Sequence, residues 1–224
     1  MPLLSEPLHH AYLLAGKRAA LHAKLLAALR DDLGIGAAGN PDFSDTAFET
    51  FGIEDARALM LSQGTRPVSG RRIFILSFFF ATSEAQNALL KTLEEPTSDT
   101  SFFLIVPSAS VLLPTVRSRL ALLDLGVEAS AEKEAEDFLR ASVAERLKVI
   151  EGIGKSDNES RKSDLLSLLI GIEEACAARF QGTIPPEWAE PLRELLELKK
   201  YAFDRAPSVK MLGEYLAIRL PEFD

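Results

Sequence analysis

The clearest pattern of apolar and polar positions lies between residues 73 and 125. Residues 73–81 form a nearly unbroken apolar run, interrupted only by Ser77. This run predicts a buried strand, because a strand covered on both faces is apolar throughout. Shorter runs at 102–106 and 120–125 predict two more strands. The stretch 83–96, between the first two runs, is polar apart from spaced leucines, which predicts an exposed amphipathic helix.

The helix predicted at 83–96 has recognisable ends. Ser83 and Gln86, three residues apart, predict a capping box at its start, and Pro96 predicts its end. Its apolar stripe consists of Leu89, Leu90 and Leu93, and the charged residues turned away from that stripe are Glu84, Lys91 and Glu94. A strand, a helix and a second strand in this order predict helices packed on a parallel sheet.

The chain before residue 73 alternates in the same way. Two strand-like segments and two helices are predicted, in order, at 8–14 (strand), 19–33 (helix), 40–51 (extended) and 53–62 (helix). The first helix is expected to stop at Gly34, because glycine commonly ends helices. We therefore predict an α/β domain over residues 1–126.

After Gly126 the pattern becomes helical. Two short helices, a polar flexible connection and three longer apolar stripes are predicted, in order, at 128–140, 142–150, 152–158, 165–176, 188–203 and 211–216. We therefore predict a shortened helical connector at 127–158 and a C-terminal helical bundle at 159–224. Core packing is the default interpretation of the stripes, and the alternative is a bundle with one face left for partner helices.

The composition removes several classes of protein. Of the 224 residues, 47% are hydrophobic and 26% charged, which excludes disordered and fibrous chains. The single cysteine excludes an intrachain disulfide, and His9, His10 and His22 lack nearby acidic or thiol partners, so no metal site is predicted. We expect no signal leader, because the sequence does not open with a basic and apolar stretch, and no apolar run approaches the ~20 residues that span a bilayer. We expect a cytoplasmic protein without membrane contact.

The net charge of −8 is unevenly distributed along the chain. Residues 1–126 carry 11 basic and 13 acidic side chains, whereas residues 127–224 carry 14 basic and 20 acidic ones. A protein that binds nucleic acid by itself usually presents a basic face. Strong autonomous DNA binding is therefore disfavoured, and contact with DNA is expected only within an assembly.

Residues 16–18 lie where a phosphate-binding loop would be, between a predicted strand and a predicted helix. Such a loop needs glycines for close backbone approach, a lysine for the β- and γ-phosphates and a hydroxyl for magnesium. Here Gly16 is followed by Lys17 and Arg18, and the remaining elements are missing, so the loop is degenerate and we expect no nucleotide cofactor. Weak phosphate binding by these residues is the alternative to the favoured interpretation, a solvated turn.

The end of the run 73–81 lacks the carboxylates of an ATPase. In an ATPase of this layout the strand would end in Asp-Glu, with the aspartate on magnesium and the glutamate beside the attacking water. Ser77 and three phenylalanines stand there instead. Because the metal ligand and the base are both missing, we predict that the chain does not hydrolyse ATP by itself.

Arg117, Ser118 and Arg119 stand at the entrance of the strand predicted at 120–125. A pair of arginines at a strand edge is commonly a solvated or ion-paired surface. The functional interpretation is an arginine finger, whose planar cation stabilises charge on a phosphoryl group transferred in a neighbouring subunit. The residues alone leave both interpretations open.

The central motifs resemble a known family. Asn-Ala-Leu-Leu-Lys-Thr-Leu-Glu-Glu-Pro at 87–96, Phe-Phe-Leu at 102–104 and Leu-Leu-Pro-Thr-Val-Arg-Ser-Arg at 112–119 closely match the delta-prime subunits of bacterial DNA polymerase III clamp loaders. Weaker matches lie at 8–12, 40–42, 52–54 and 214–221. The central block is specific to clamp-loader proteins of the AAA+ superfamily, and loss of ATP-binding residues distinguishes delta-prime from its relatives gamma and tau.

The resemblance implies an AAA+ domain, with a P-loop-like parallel sheet and a degenerate nucleotide site, in a five-membered ring. It assigns Arg119 to the trans arginine finger, with Arg117 and Ser118 as its supporting motif. The implied partners are the gamma or tau and delta subunits, the sliding clamp and, through the complex, primer-template DNA. Leu120 replaces the family's usual cysteine, and Val106 stands where active relatives have a polar sensor. The family's zinc module is absent, and its lid is shortened to about 127–150.

Three alternatives stay open at this point. The first is an ATPase of the gamma or tau type with eroded motifs, which would need a usable phosphate loop or an acidic strand end. The second is the delta subunit, in which an Arg-Ser-Arg element at 117–119 would be unusual. The third is an AAA+-derived interaction protein outside replication.

Overall fold

The computed structural model describes residues 3–64, 67–68, 70–95, 97–126, 131–155, 158–203 and 208–223. The chain divides into two compact units, Met1–Glu128 and Ala129–Asp224. The first unit contains a parallel sheet with helices, and the second contains helices and no strand among its described residues. The predicted fold class, an α/β sheet domain followed by a helical C-terminal region, is confirmed. Among the described residues, no helix is both long enough and apolar enough to cross a membrane.

The first unit alternates strands and helices along the chain. Its strands are β1 (Ala11–Ala15), β2 (Phe43–Phe51), β3 (Arg72–Ala81), β4 (Thr100–Val106) and β5 (Ala121–Leu122). Its α-helices are α1 (Arg18–Leu33), α2 (Ile53–Gln63), α3 (Ser83–Glu94) and the short α4 (Pro114–Arg117), with a 3-10 turn at Ala109–Val111. These elements follow the predicted order.

All five strands are parallel, in the spatial order β2-β3-β4-β1-β5. The strands therefore all begin at one edge of the sheet, which we call the amino edge, and end at the opposite one, the carboxyl edge. In the register, Ser77 of β3 lies opposite Ile105 of β4, and Val106 at the end of β4 lies opposite Ala15 at the end of β1. β3 extends four residues further and pairs there with β2.

Helices cover both faces of the sheet, which explains the unbroken apolar runs. Phe74, Leu76 and Phe78 of β3 pack on one face with buried residues of α2, α3 and α4. Ile73 and Ile75, which point the other way, pack with buried leucines of α1. Because successive side chains of a strand alternate between the faces, a strand enclosed by two helical layers is apolar at nearly every position.

Two predicted strands are shorter than expected. The first begins at Ala11 rather than residue 8, because the His9 ring bonds to the backbone of Ala11 (Nδ1 to carbonyl O 2.8 Å, Nδ1 to backbone N 3.2 Å) and turns the chain. The last spans only Ala121–Leu122 of the predicted 120–125, because β5 pairs with β1 at two positions and no strand of the described residues flanks its outer side. The other predicted strands and helices of this unit differ from the structure by at most three residues at either end.

The capping box predicted at Ser83 and Gln86 is wrong. The cap of α3 is Thr82, whose hydroxyl accepts a hydrogen bond from the Ala85 N–H. The helix therefore begins one residue earlier than a cap at Ser83 requires. Gln86 lies on the buried face of α3 and is 4% exposed. Its amide is therefore available for contacts inside the unit.

The second unit consists of α5 (Ala131–Arg140), α6 (Val143–Gly154), α7 (Asn158–Phe180), α8 (Pro186–Phe203) and α9 (Val209–Arg219). The polar connection predicted at 152–158 is partly wrong, because α6 continues through Gly154; residues 156–157 lie outside the described residues. Helices α6 and α9 approach closely, since a Cβ on Gly213 would lie 2.7 Å from Cγ2 of Ile150. Helices from the predicted connector and bundle belong to one compact unit, and their division at residue 158 stays a prediction.

A buried arginine joins two helix ends in this unit. Arg146 is 0% exposed and donates hydrogen bonds to the carbonyls of Phe138 and Leu139 at the end of α5 and of Leu220 and Pro221 after α9. The last carbonyls of a helix have no partner within it, and a cation stabilises the negative end of the helix dipole. Burial lowers the pKa of the guanidinium, although an arginine stays charged at neutral pH. The guanidinium of Arg146 therefore links the end of α5 to the segment that follows α9.

We expect Arg146→Met to lower the free energy of unfolding of the second unit by about 3 kcal/mol, because four carbonyls lose a charged donor. The single tryptophan, Trp188, is buried in this unit, so its fluorescence during denaturation by urea measures the effect. Arg193→Met, at an exposed position of α8, is the matched control and should change stability by less than about 0.5 kcal/mol. Equal unfolding midpoints for the two variants would contradict the interpretation.

Candidate functional site

The predicted phosphate loop is a tight turn. β1 ends at Ala15 and α1 begins at Arg18, so only Gly16 and Lys17 lie between them. The N–H of Gly16 donates to the carbonyl of Val106 at 2.9 Å and is not available to a phosphate. A phosphate-binding loop spans eight residues and presents several backbone N–H groups to its ligand. This turn is shorter than such a loop, and the N–H of its glycine is already bonded.

The carboxyl end of β3 has no acidic residue. Ser77 is 1% exposed and lies inside the strand, which continues to Ala81. Phe78, next along the chain, is 2% exposed and stacks on Phe51 with ring centroids 5.3 Å apart. An aromatic core residue therefore follows Ser77 where an ATPase would have its catalytic glutamate.

The structure gives one of the three histidines an acidic partner. His22 was expected to lack an acidic partner, but the fold brings Asp45 of β2 to it, with Nε2 and Oδ2 2.6 Å apart. Asp45 is 23 residues away in sequence, so the pair became visible only once the sheet was formed. One histidine and one carboxylate are too few ligands for a structural metal site.

Gln86 joins three separate elements at the carboxyl edge of the sheet. Its Nε2 donates to the carbonyls of Ala81 at the end of β3 (3.0 Å) and of Val111 in the 3-10 turn (3.2 Å). Its Oε1 accepts from the N–H of Leu113, the residue before α4 (2.7 Å). Buried backbone groups need partners, and one side chain here supplies three of them. Gln86 therefore fixes where α4 begins.

Helix α4 places three polar residues at the surface of the first unit. Val116 is 0% exposed and anchors the helix in the core beside α3. Arg117 and Ser118 are exposed, and Arg119 is half-buried. The three residues predicted as one motif are thus together on a short segment held by Gln86 at its start and Val116 in its middle.

The guanidinium of Arg119 has a defined position. Its Nη2 contacts Oε1 of Glu94, the last residue of α3, at 2.5 Å. Its Nη1 donates to the carbonyl of Thr115 at 2.8 Å and contacts the Ser118 hydroxyl at 3.4 Å. The side chains of Arg119 and Glu94 remain 36% and 48% exposed. Arg119 is therefore ordered by neighbours and still open to solvent on one side.

A histidine lies close to the backbone of the same segment. The backbone of Arg119 acts to raise the pKa of His10, which stands just before β1. Burial and the neighbouring His9 outweigh it, so the net pKa of His10 is lowered. Because His10 precedes β1 and Arg119 precedes β5, both lie at the amino edge of the sheet.

The arginine and the degenerate loop lie at opposite edges of the sheet. Gly16 and Lys17 follow β1 at the carboxyl edge, whereas Arg119 precedes β5 at the amino edge. A strand of seven residues such as β4 separates the edges by about 20 Å. A single arginine side chain is too short to cross that distance. Arg119 therefore cannot serve a nucleotide at residues 16–18 of its own chain.

Two residues that shape the site were not recognised in the sequence. Gln86 was assigned to a helix cap, and Glu94 to the solvent-facing side of α3. The first error came from placing the cap one residue too late, at Ser83 rather than Thr82. The contact of Glu94 depends on the packing of α3 beside α4, 25 residues later in the chain, for which helical periodicity gives no signal.

Comparisons with known proteins agree with the resemblance found in the sequence. Residues 37–128 match a family model described as "DNA polymerase III, delta subunit". The chain is also similar to proteins named DNA polymerase III subunit delta'. The Escherichia coli protein is 36% identical over 92 residues, which is 38% of this chain and 28% of the relative. The Haemophilus influenzae protein is 30% identical over 113 residues, or 48% and 34%.

A third relative of the same name, from Pseudomonas aeruginosa, is 46% identical over 56 residues, which is 25% of this chain and 17% of the relative. The matched segments thus span at most about a third of these relatives. The resemblance to a delta-prime-type clamp-loader subunit is confirmed, and the family-model match at 37–128 includes α3, α4 and Arg117–Arg119.

Two solved structures overlap more of the chain, but loosely. A gamma subunit-related DNA polymerase III protein from Thermotoga maritima covers 93% of this chain, with 65% of its own length, 21% identity and a TM-score of 0.46. A clamp-loader delta protein from Bacillus subtilis covers 95%, with 59% of its own length, 14% identity and a TM-score of 0.39. Both TM-scores are below 0.5, so neither superposition sets up a residue-by-residue correspondence.

We expect Gln86→Leu to lower the free energy of unfolding by about 2 kcal/mol or more, because two carbonyls and one N–H in the interior lose their partner. Asn87→Leu is the matched control: it replaces an amide by leucine one residue later, at an exposed position of α3. Denaturant unfolding followed by circular dichroism measures both. The role given to Gln86 would be wrong if the two substitutions had the same effect.

Proposed function

We propose that this chain is a non-hydrolysing, delta-prime-type subunit of a DNA polymerase III clamp loader. In this role it completes the ATP site of a neighbouring gamma or tau subunit by supplying Arg119 as an arginine finger. Arg117 and Ser118 support the presentation of that arginine. The family-model match at residues 37–128 and the similarity to proteins named subunit delta' support the class of complex, and the geometry of Arg119 is consistent with the proposed role within it.

The position of Arg119 is the observation that carries this proposal. Its guanidinium is ordered, 36% exposed, and at the opposite edge of the sheet from residues 16–18 of its own chain. A planar cation that is fixed and open to solvent suits a phosphate presented by another subunit. The ordinary alternative, a purely structural ion pair, would account for the contact with Glu94 but not for the family-specific motif around it.

The carboxyl edge supports a role without hydrolysis. The turn at Gly16 and Lys17 is too short to surround phosphates, and the end of β3 supplies neither a magnesium ligand nor a base for water. Phosphoryl transfer needs metal ions and positioned charge at the γ-phosphate. An eroded but working ATPase would need at least one of these elements, and β3 and the β1–α1 turn supply none.

The proposed partners follow from this role. The chain would act beside gamma or tau and delta subunits, on the sliding clamp and primer-template DNA, which places it in the cytoplasm. Its acidic net charge of −8 favours contacts with other proteins over direct contacts with DNA. The chain would reach DNA only as part of the complex.

Two ATPase measurements test the proposal. The purified chain alone should show no hydrolysis of ATP above background. Added to its cognate gamma or tau and delta subunits, with sliding clamp and primed DNA present, it should stimulate hydrolysis. If ATPase activity co-purified with the isolated chain through several steps, the chain would be an ATPase. That result would overturn the non-hydrolysing role.

Arg119→Ala should reduce hydrolysis at the site it completes by ~10³-fold or more, the contribution of an arginine finger to phosphoryl transfer. The other ATP sites of the ring do not depend on Arg119 and would still hydrolyse ATP. The rate of clamp loading is therefore a more sensitive measurement than total ATP hydrolysis. Arg119→Lys should fail almost as badly, because an ammonium group lacks the planar fork. Arg57→Ala, at an exposed position of α2, is the control. Normal clamp loading by the Arg119→Ala complex would exclude the finger.

A further inference from the structure

We propose that Glu94 is a positioning residue for Arg119: it holds the guanidinium in the orientation that a neighbouring subunit's phosphate requires. This inference rests on the proposed function and goes beyond it, because it assigns a role to Glu94. A carboxylate would not be expected beside a cation that binds phosphate, since carboxylate and phosphate are both negatively charged. The observation is the contact between Oε1 of Glu94 and Nη2 of Arg119.

The hydrogen bonds of Arg119 are divided in a way that suits positioning. A guanidinium has five N–H groups. Nη1 directs its two toward the Thr115 carbonyl and the Ser118 hydroxyl, and Nη2 directs one toward Glu94. The Nε–H and the second Nη2–H have no partner among the described residues. The Nε–H shares one edge of the planar cation with an N–H of Nη2, and one edge is what a bidentate contact to phosphate needs.

The supports come from two elements that are themselves fixed. Glu94 ends α3, which packs along the sheet through buried Leu89 and Leu93. Thr115 lies in α4, next to the fully buried Val116. A long arginine side chain loses rotamer freedom when it is ordered, and here that loss occurs before a partner subunit arrives. Glu94 therefore lowers the cost of presenting Arg119.

A competing interpretation makes the opposite prediction. If Glu94 merely withdrew the cation from use, a phosphate would have to displace it, and removing Glu94 would raise activity. Both side chains are partly exposed, and such ion pairs contribute little binding energy by themselves. A contact that weak is poorly suited to withholding an arginine from a triphosphate, but it is enough to choose one orientation among several.

The test is a set of variants in the reconstituted complex with gamma or tau, delta, clamp and primed DNA. Glu94→Ala should lower the Arg119-dependent part of kcat by about tenfold, because a misplaced catalytic group is costly in rate. The KM for ATP should stay unchanged, since the neighbouring subunit binds the nucleotide. Glu94→Gln, whose amide oxygen still accepts from Nη2, should lose less. Glu95→Ala, an exposed neighbour with the same charge, is the control.

The double variant Glu94→Ala with Arg119→Ala separates positioning from a general structural effect. If Glu94 acts through Arg119, the double variant should be no slower than Arg119→Ala alone. Unchanged or increased kcat in Glu94→Ala, while Arg119→Ala is inactive, would overturn the positioning role and leave the proposed function standing. If the double variant were slower than Arg119→Ala by the full effect of Glu94→Ala, the positioning role would also be overturned. No effect of Arg119→Ala would overturn both proposals together.

Discussion

The arrangement of the first unit depends on the buried amide of Gln86. One side chain satisfies the last carbonyl of β3, a carbonyl of the 3-10 turn and the N–H that precedes α4. Without these bonds, three backbone groups would lose this partner, and α4 would keep only its apolar anchor in the core. Gln86 and Val116 together set the position of α4, on which Arg119 depends.

The parallel sheet separates the Gly16–Lys17 turn from Arg119, because it places them at opposite edges. Strands that all point one way give the domain two chemically different edges, and α3 runs from the carboxyl edge back to the amino edge. Gln86 lies near the start of this helix and Glu94 at its end, so the same helix that fixes α4 also supplies the partner of Arg119. In our proposal the carboxyl edge, where a nucleotide would bind, lacks the residues for phosphate and magnesium. The amino edge, which would face a neighbouring subunit, carries the arginine finger.

Much of this could be predicted from the sequence, and the failures have identifiable physical causes. The apolar runs predicted β3 and β4, because full burial on both faces leaves no polar positions to confuse the pattern. The degenerate loop and the lack of an acidic residue after Ser77 could be predicted, because the residues of such motifs are adjacent in the sequence. The roles of Gln86 and Glu94 were missed, since each depends on a residue 25 or more positions away. The contacts of Arg146 with residues 220–221 were equally invisible to local patterns.

The most direct test of the central claim is a structure of the assembled complex with a non-hydrolysable ATP analogue. The account predicts a phosphate oxygen of the neighbouring subunit's nucleotide about 3 Å from Nε or Nη2 of Arg119, the length of an ordinary hydrogen bond. It also predicts that Glu94 still contacts the same guanidinium and that no nucleotide lies at Gly16 and Lys17. A nucleotide bound at residues 16–18 of this chain, or an Arg119 remote from every phosphate in the ring, would contradict it.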